Sequence, residues 1–144
     1  YTVNVTIVDK DGGVTSTTVD VTVANADPAI TNFGVVSTGT NVEGMDSMVD
    51  FMFDLSDPSG PTQLDTFPTV DINWGDGTSD IGINITDQAI VAGAGISITG
   101  LSHTWADNGC YGVALTIYDD DGGSASAFST FDIENVAPTI LSVS

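Results

Sequence analysis

The sequence predicts an all-β sandwich, and three observations carry that prediction. β-branched residues dominate, with 16 Val and 12 Ile against 5 Leu, a bias that suits the half-buried surface of a sheet. Apolar and polar residues alternate with period two in several short segments, and none shows the i, i+3, i+4, i+7 stripe of an amphipathic helix. Turn-formers punctuate these segments, with 16 Gly and 18 Asp among 144 residues.

Taken in order, Tyr1–Val8 reads as a strand entering the turn Asp9-Lys-Asp-Gly-Gly13, with a returning arm that completes a hairpin over residues 1–24. Val49, Phe51, Phe53 and Leu55 alternate with Met48, Asp50, Met52 and Asp54, the mark of a half-buried strand. Val70, Ile72 and Trp74 repeat the pattern up to Gly75-Asp76-Gly77. Ile81, Ile83 and Ile85 form the next arm, followed by Ile96, Ile98 and Leu101. Tyr111, Val113, Leu115 and Ile117 lead into the turn Asp119–Gly123, and Phe131 and Ile133 return. Seven or so short strands with frequent turns make a sandwich.

Charge narrows the function. Twenty acidic residues face one basic residue, Lys10, for a net charge of −19. Without Lys and Arg to neutralise phosphate, the chain is no binder of nucleic acid, anionic membrane or acidic substrate. Disorder is excluded as well, because 41% of residues are hydrophobic and mean hydropathy is +0.20. No run of 18 apolar residues exists to insert into a membrane as a helix. The chain opens inside a strand pattern with no leader, which reads as a mature piece of a longer protein. Cys110 is the only cysteine, so no internal disulfide forms.

An internal repeat sets the expected organisation. Residues 1–31 align without gaps onto 111–141, with 12 of 31 positions identical. The identities include the Asp-x-Asp-Gly-Gly turn, Tyr1 over Tyr111, Asn25 over Asn135 and Pro28 over Pro138. A period of that length is too long for a solenoid and suits one β-sandwich per repeat. Residues 1–26 are therefore expected to be the C-terminal hairpin of a preceding repeat, 27–136 a complete domain, and 137–144 the start of a following repeat. The joints Asn25-Ala-Asp-Pro28 and Asn135-Val-Ala-Pro138 are short and stiffened by proline, favouring a semi-rigid rod.

Several motifs together resemble the PKD (polycystic kidney disease) repeat, a module found in tandem on prokaryotic surface proteins. They are Ser56-Asp-Pro58, Val70-Asp-Ile-Asn-Trp-Gly-Asp-Gly-Thr78, Ser102-His-Thr-Trp105, Gly109-Cys-Tyr-Gly-Val-Ala-Leu-Thr116 and Asp119-Asp-Asp-Gly-Gly123. Their order and spacing fit across the span 27–136, and residues 1–26 match the end of another copy. The resemblance implies an immunoglobulin-like β-sandwich in tandem repeats. It also implies that His103 packs and hydrogen-bonds near Trp74, at the seam of the C and F strands. The chain departs from the family pattern at Trp105, at Cys110 and at Asp57-Pro-Ser-Gly60, where Ser59 replaces a carboxylate of the usual calcium loop.

Candidate sites are few. Asp76, between two glycines, reads as a turn residue bonding its own amides rather than a catalytic carboxylate. His103 is the only histidine, so a His-based metal cluster or a Ser-His-Asp triad has one residue to build on. Cys110 lacks a cationic sequence neighbour to activate its thiol and reads as a small core or rim residue, with an intermolecular disulfide as the alternative. Asn4-Val-Thr6 and Asn84-Ile-Thr86 have the form of glycosylation acceptors but lie in predicted strands. The one metal hypothesis is calcium, a cation that takes six to eight oxygens. Its candidate ligands are Asp119 and Asp121, with Asp9 and Asp11 in the preceding copy, meeting Asn25 and Asp27 at the joint or Asp57 and Ser59 in their loop.

The expected function is a non-catalytic structural module of a tandem-repeat extracellular protein: stalk, fibre, adhesin or surface layer. Calcium would stiffen the joints, and the partners would be neighbouring repeats and further copies in a fibre or layer. The alternative is an accessory module of a secreted hydrolase that contacts glycan or protein through Tyr118, Trp105 and Phe128.

Overall fold

The computed structural model describes residues 1–58, 66–88, 90 and 93–141. Its strands are β1 (Thr2–Val8), β2 (Val14–Asp20), β3 (Ala29–Ser37), β4 (Asp46–Ser56), β5 (Thr69–Asn73), β6 (Ser79–Asn84), β7 (Gly93–Thr104), β8 (Gly109–Tyr118) and β9 (Ser124–Ile133). Among the described residues the only helical element is one 3-10 turn, Thr86–Gln88.

Two sheets form the sandwich, β3-β4-β7 and β6-β5-β8-β9, and every pairing within them is antiparallel. The alternation read from β4 holds: Val49, Phe51, Phe53 and Leu55 are buried, and Met48, Met52 and Ser56 face out. From the other sheet Val70, Ile72, Trp74, Val113, Leu115, Ile117, Phe131 and Ile133 meet them in one core. Trp74, Trp105 and Phe51 are its largest fully buried side chains. β3 lies along β9 and closes one side of the sandwich.

Alternation fails where the sheets bulge. β3 carries no clean sequence signal because its register shifts between Thr31 and Gly34, at Asn32, whose φ is +52°. Inward-facing Ile30 and Phe33 are thereby placed three residues apart, and Phe33 stacks on Phe51 at 5.8 Å. Ile98 and Leu101 are likewise three apart, because β7 carries an extra residue between the pairs Phe51↔Ile98 and Val49↔Leu101. Ile81, expected inside, is 73% exposed, because β6 bulges between its partners of Val70 and Ile72.

These bulges share a design. Each of three has a glycine at positive φ on its longer strand, Gly82, Gly95 and Gly100. Opposite each, in the register gap, stands an outward aspartate that accepts the glycine N–H. Asp71 takes Gly82 at 2.7 Å, Asp54 takes Gly95 at 2.8 Å and Asp50 takes Gly100 at 3.3 Å. An amide that leaves its ladder needs an acceptor, and a one-carbon carboxylate side chain reaches across one strand spacing. Asp54 serves two bulges, since its other oxygen accepts from Asn32 Nδ2 at 2.5 Å. Those two bonds hold its carboxyl below the usual carboxylate range.

The β1-β2 hairpin stands apart as its own two-stranded sheet. Its register copies that of β8-β9: the pair Val3↔Val19 corresponds to Val113↔Ser129, and Ile7↔Thr15 corresponds to Ile117↔Ala125. Val113, Leu115 and Ile117 are buried, whereas Val3, Val5, Ile7 and Val19 on the matching face are 47%, 43%, 64% and 53% exposed. Burying one such side chain is worth about 1.5–3 kcal/mol, and a lone hairpin is marginal in water.

Removing the shared stitch should cost more than removing a single one. Asp54→Ala is expected to lower the melting temperature more than Asp50→Ala, whose single bond is longer. Equal melting temperatures of the two variants by circular dichroism would mean that the second bond of Asp54 adds nothing.

Candidate functional site

Two polar groups lie at opposite ends of the sandwich. At the end where β8 turns into β9, Asp119 is 6% exposed. Its N–H donates to the Gly123 carbonyl at 3.0 Å, and its Oδ1 accepts from Asp121 N at 3.0 Å and Gly123 N at 2.6 Å. The turn closes through Gly122 at φ +96°. The β1-β2 turn is built the same way. Asp9 N donates to Gly13 O at 2.9 Å, and Asp9 Oδ1 accepts from Asp11 N at 2.9 Å and Gly13 N at 2.7 Å.

What distinguishes the Asp119 turn is the joint that runs over it. Asn25 donates its Nδ2 to Asp119 Oδ2 at 3.0 Å, tying residues 94 positions apart. The bare Cα of Gly123 allows this approach, since a Cβ there would sit 2.4 Å from Asp119 Oδ2, 2.8 Å from Asn25 Nδ2 and 3.1 Å from Asp27 Oδ1. Pro28, just beyond, is buried. Burial pushes the Asp119 carboxyl up, but the Asn25 bond and the amides of Gly123, Asp121 and Gly122 outweigh it and leave the carboxyl below its ordinary value.

Of the residues expected to bind calcium, the structure thus brings together Asn25, Asp27 and Asp119. Asp57 sits beside the same joint, because its neighbour Ser56 pairs with Ala29, and its Oδ2 is buried. Ser59 lies outside the described residues. Asp121 contributes its main-chain N–H to the turn and is itself exposed. Asp9 and Asp11 belong to the separate β1-β2 turn, where Asp11 pairs with Lys10 at 2.8 Å in full solvent. The oxygen donors at the joint suit a hard cation in kind. In number they fall short: Asp119 Oδ1 is committed to turn amides, and among the described residues no three His, Cys, Asp or Glu side chains are grouped to hold a metal ion.

At the opposite end, Gly75 and Gly77 adopt φ of +80° and +94°, and Asp76 Oδ1 accepts from Thr78 N at 2.9 Å and Thr78 Oγ1 at 2.6 Å, as the turn reading expects. Its second oxygen bonds His103 Nε2 at 2.8 Å, a contact that the spacing does not announce. His103 stacks flat on Trp74, with centroids 4.6 Å apart and planes 3° apart, and meets Trp105 edge-on. His103 packs near Trp74 as the family resemblance implies, but not at the seam of strands C and F, here β5 and β8. It stands on β7, so its contact with Trp74 ties one sheet to the other. The group is no catalytic relay. Asp76 and Thr78 both approach the same ring nitrogen, at 2.8 and 3.4 Å, whereas a relay needs acid and nucleophile on opposite nitrogens.

Three further residues complete the picture, and one of them, Trp105, departs from its sequence reading. Trp105 is fully buried, with Nε1 donating to Trp74 O at 3.2 Å, and so is no platform for a ligand. Cys110 is exposed at the rim, one of the two places its reading allowed, and neighbouring Asp132 pushes its thiol up. Glu43 lies in no sequence motif, yet its carboxylate accepts from Asn108 N and Val136 N, both at 2.8 Å. The available signal was that it is one of two Glu in an Asp-biased chain, the longer side chain serving where two separated amides must be reached.

Comparison with known proteins finds no matching family model and no matching curated protein. Among solved structures the chain is similar to PKD domains. The PKD domain of an M14-like peptidase from Thermoplasmatales archaeon SCGC AB-540-F20 matches at 25% identity and TM-score 0.49, over 76% of this chain and 96% of that one. The PKD1 domain of Vibrio anguillarum Epp matches at 19% identity and TM-score 0.47, over 78% and 100%. The PKD1 domain of the Vibrio cholerae metalloprotease PrtV matches at 19% and 0.39, over 76% and 99%.

Acid should weaken the Asp76 latch. Partial burial pushes the Asp76 carboxyl up, but bonds from Thr78 and His103 prevail and lower it from 3.8 to about 2. A carboxyl depressed in the folded state stabilises above its unfolded value, and that stability is lost as pH falls towards the folded value. Solvent screening at this exposed turn keeps the contribution to about 1 kcal/mol, lost between roughly pH 4 and pH 2. Urea unfolding at pH 6 and pH 2.5 should therefore show a smaller acid loss in Asp76→Asn than in the native chain. Equal losses would show that the latch carries no such linkage.

Proposed function

We propose that the chain is a non-catalytic structural module from a tandem array on an extracellular surface or filament protein. The observation that carries this reading is the pair of matching hairpins: β1-β2 and β8-β9 share register and turn bonds one repeat apart, and only one of them has a domain around it. The function is mechanical. Successive sandwiches hold distance, and the acidic surface keeps them apart in solution until salt screens it. Neighbouring repeats are the partners. Among the described residues no helix is long and apolar enough to cross a membrane.

Calcium enters this proposal at the joint, where Asp27, Asp119 and the Asn25 side-chain oxygen would supply part of its shell and main-chain carbonyls and water the rest. A cation there would relieve the repulsion of the gathered carboxylates and fasten the joint to the domain. A second reading, an accessory module of a secreted hydrolase that contacts glycan or protein, draws support from Phe128, 76% exposed on the outer face of the four-stranded sheet beside Ala114.

Two measurements separate these readings. Sequencing the gene through both ends should reveal more units at the spacing that sets Tyr1 over Tyr111, whereas a flanking catalytic domain would favour the accessory role. For calcium, the melting temperature and scattering profile of the whole chain are compared in Ca²⁺ and in EGTA. Calcium should raise the melting temperature, and Asp27→Asn should blunt the rise. Identical curves in both buffers would remove calcium from the proposal.

A further inference from the structure

The two ends of the chain each display half of one joint. At residues 25–28 the downstream half is visible, with Asn25 bonded to the Asp119 turn of the domain that follows it. At residues 134–136 the upstream half is visible. Val42 and Glu134 form a parallel bridge, Glu43 N donates to Glu134 O at 3.0 Å and Glu134 N to Asn41 O at 2.8 Å. Glu43 Oε1 then accepts Val136 N at 2.8 Å, holding the main chain as it leaves β9. Asn135, between the two clamped residues, is exposed and occupies the repeat position of Asn25.

We propose that the Glu43 end of this domain is a docking surface for a following copy of the repeat, in which Glu43 clamps the linker main chain at Val136 while Asn135 donates its side chain to the first aspartate of that copy's Asp-x-Asp-Gly-Gly turn. The donor and acceptor are the pair already seen at Asn25 and Asp119, moved on by one repeat. The acceptor needs no adaptation. In the β1-β2 turn, Asp9 uses Oδ1 for its own amides as Asp119 does, and Oδ2 stands over the last turn glycine in each copy, 2.6 Å from where a Cβ on Gly13 would be and 2.4 Å from one on Gly123. Glycine at the last turn position keeps the approach open, and it is Gly13 in one copy and Gly123 in the other. A linker gripped through its main chain on one side and its side chain on the other has little freedom to bend. Rigidity of the array therefore comes from the linker's two anchors in addition to its prolines.

The inference rests on the tandem reading and is tested apart from it. Residues 1–136 are joined to a second copy of residues 27–144, which preserves the spacing. Spin labels are placed on both copies through Phe128→Cys in a Cys110→Ser background, and the distance distribution between them is measured by pulsed electron paramagnetic resonance. A narrow distribution is expected, broadening roughly two-fold with Asn135→Ala and with Glu43→Ala as the linker regains coil-like freedom. Thermal melting of each variant confirms that both copies remain folded, and Asn135, being exposed, provides the variant that spares the fold. A broad distribution in the unsubstituted pair, or one that Asn135→Ala leaves unchanged, overturns the clamp. Neither outcome touches the tandem reading, which falls only if the gene shows no further repeats.

Discussion

Twenty carboxylates share one lysine, so many of them are held by main-chain N–H dipoles rather than by a cation. That constraint shapes the molecule. At many places where the backbone departs from a regular ladder and frees an N–H, an acidic side chain accepts it: Asp50, Asp54 and Asp71 at the bulges, Asp9, Asp76 and Asp119 in the turns, Glu43 at the exit from β9. Neutral Asn73 and Asn84 do the same for Gly75 and Thr86. A bond from an amide to an ionised acceptor is stronger than one between neutral groups, and a buried amide left unmade is costly. The preference for Asp over Glu follows from reach. Most of these acceptors serve an amide within the same turn or one strand away, where an extra methylene would overshoot.

Holding the two sheets together is a separate task, and it falls to aromatic side chains. The lone Cys110 offers no disulfide across the sandwich. In that place Trp74 from one sheet stacks on His103 from the other, and Trp105 meets both edge-on before packing on Phe131 at 5.2 Å. Each buried indole donates its N–H, Trp74 to Asp80 at 2.9 Å and Trp105 to the Trp74 carbonyl. Truncating one buried aromatic typically costs about 3–5 kcal/mol, against about 2–4 kcal/mol for a disulfide. The aromatic group is thus an adequate staple, and it works in any redox environment.

Much of this was legible in the sequence because period-two alternation survives in the central strands. β4, β5 and β8 read correctly residue by residue, since each is buried on one face and unbroken on its own side of the register. β3, β6 and the Leu101 end of β7 read poorly for one physical reason: an extra residue inverts the alternation, and the glycine or Asn32 that permits it looks like any other turn signal. The joint was partly legible. The sequence offered Asn25 and Asp27, or Asp57 and Ser59, as what the Asp119 turn could meet. The same logic added Asp121 to that turn's ligands and Asp9 and Asp11 to those of the preceding copy, because spacing does not tell a carboxylate aimed at a ligand from one folded back on its own amides. The alternation did set Asp50 and Asp54 on an outer strand face, but it did not show which amides they accept.

The parallel bridge between Val42 and Glu134 has a consequence for force. Residues 27–136 enter at the foot of β3 and leave at the far end of β9, and the two strands run side by side in the same direction. Tension applied to the two ends slides one strand along the other instead of peeling them apart. The bonds that join Asn41 and Glu43 to Glu134, and Glu43 to Val136, then bear the load together, and they must break at once rather than in succession.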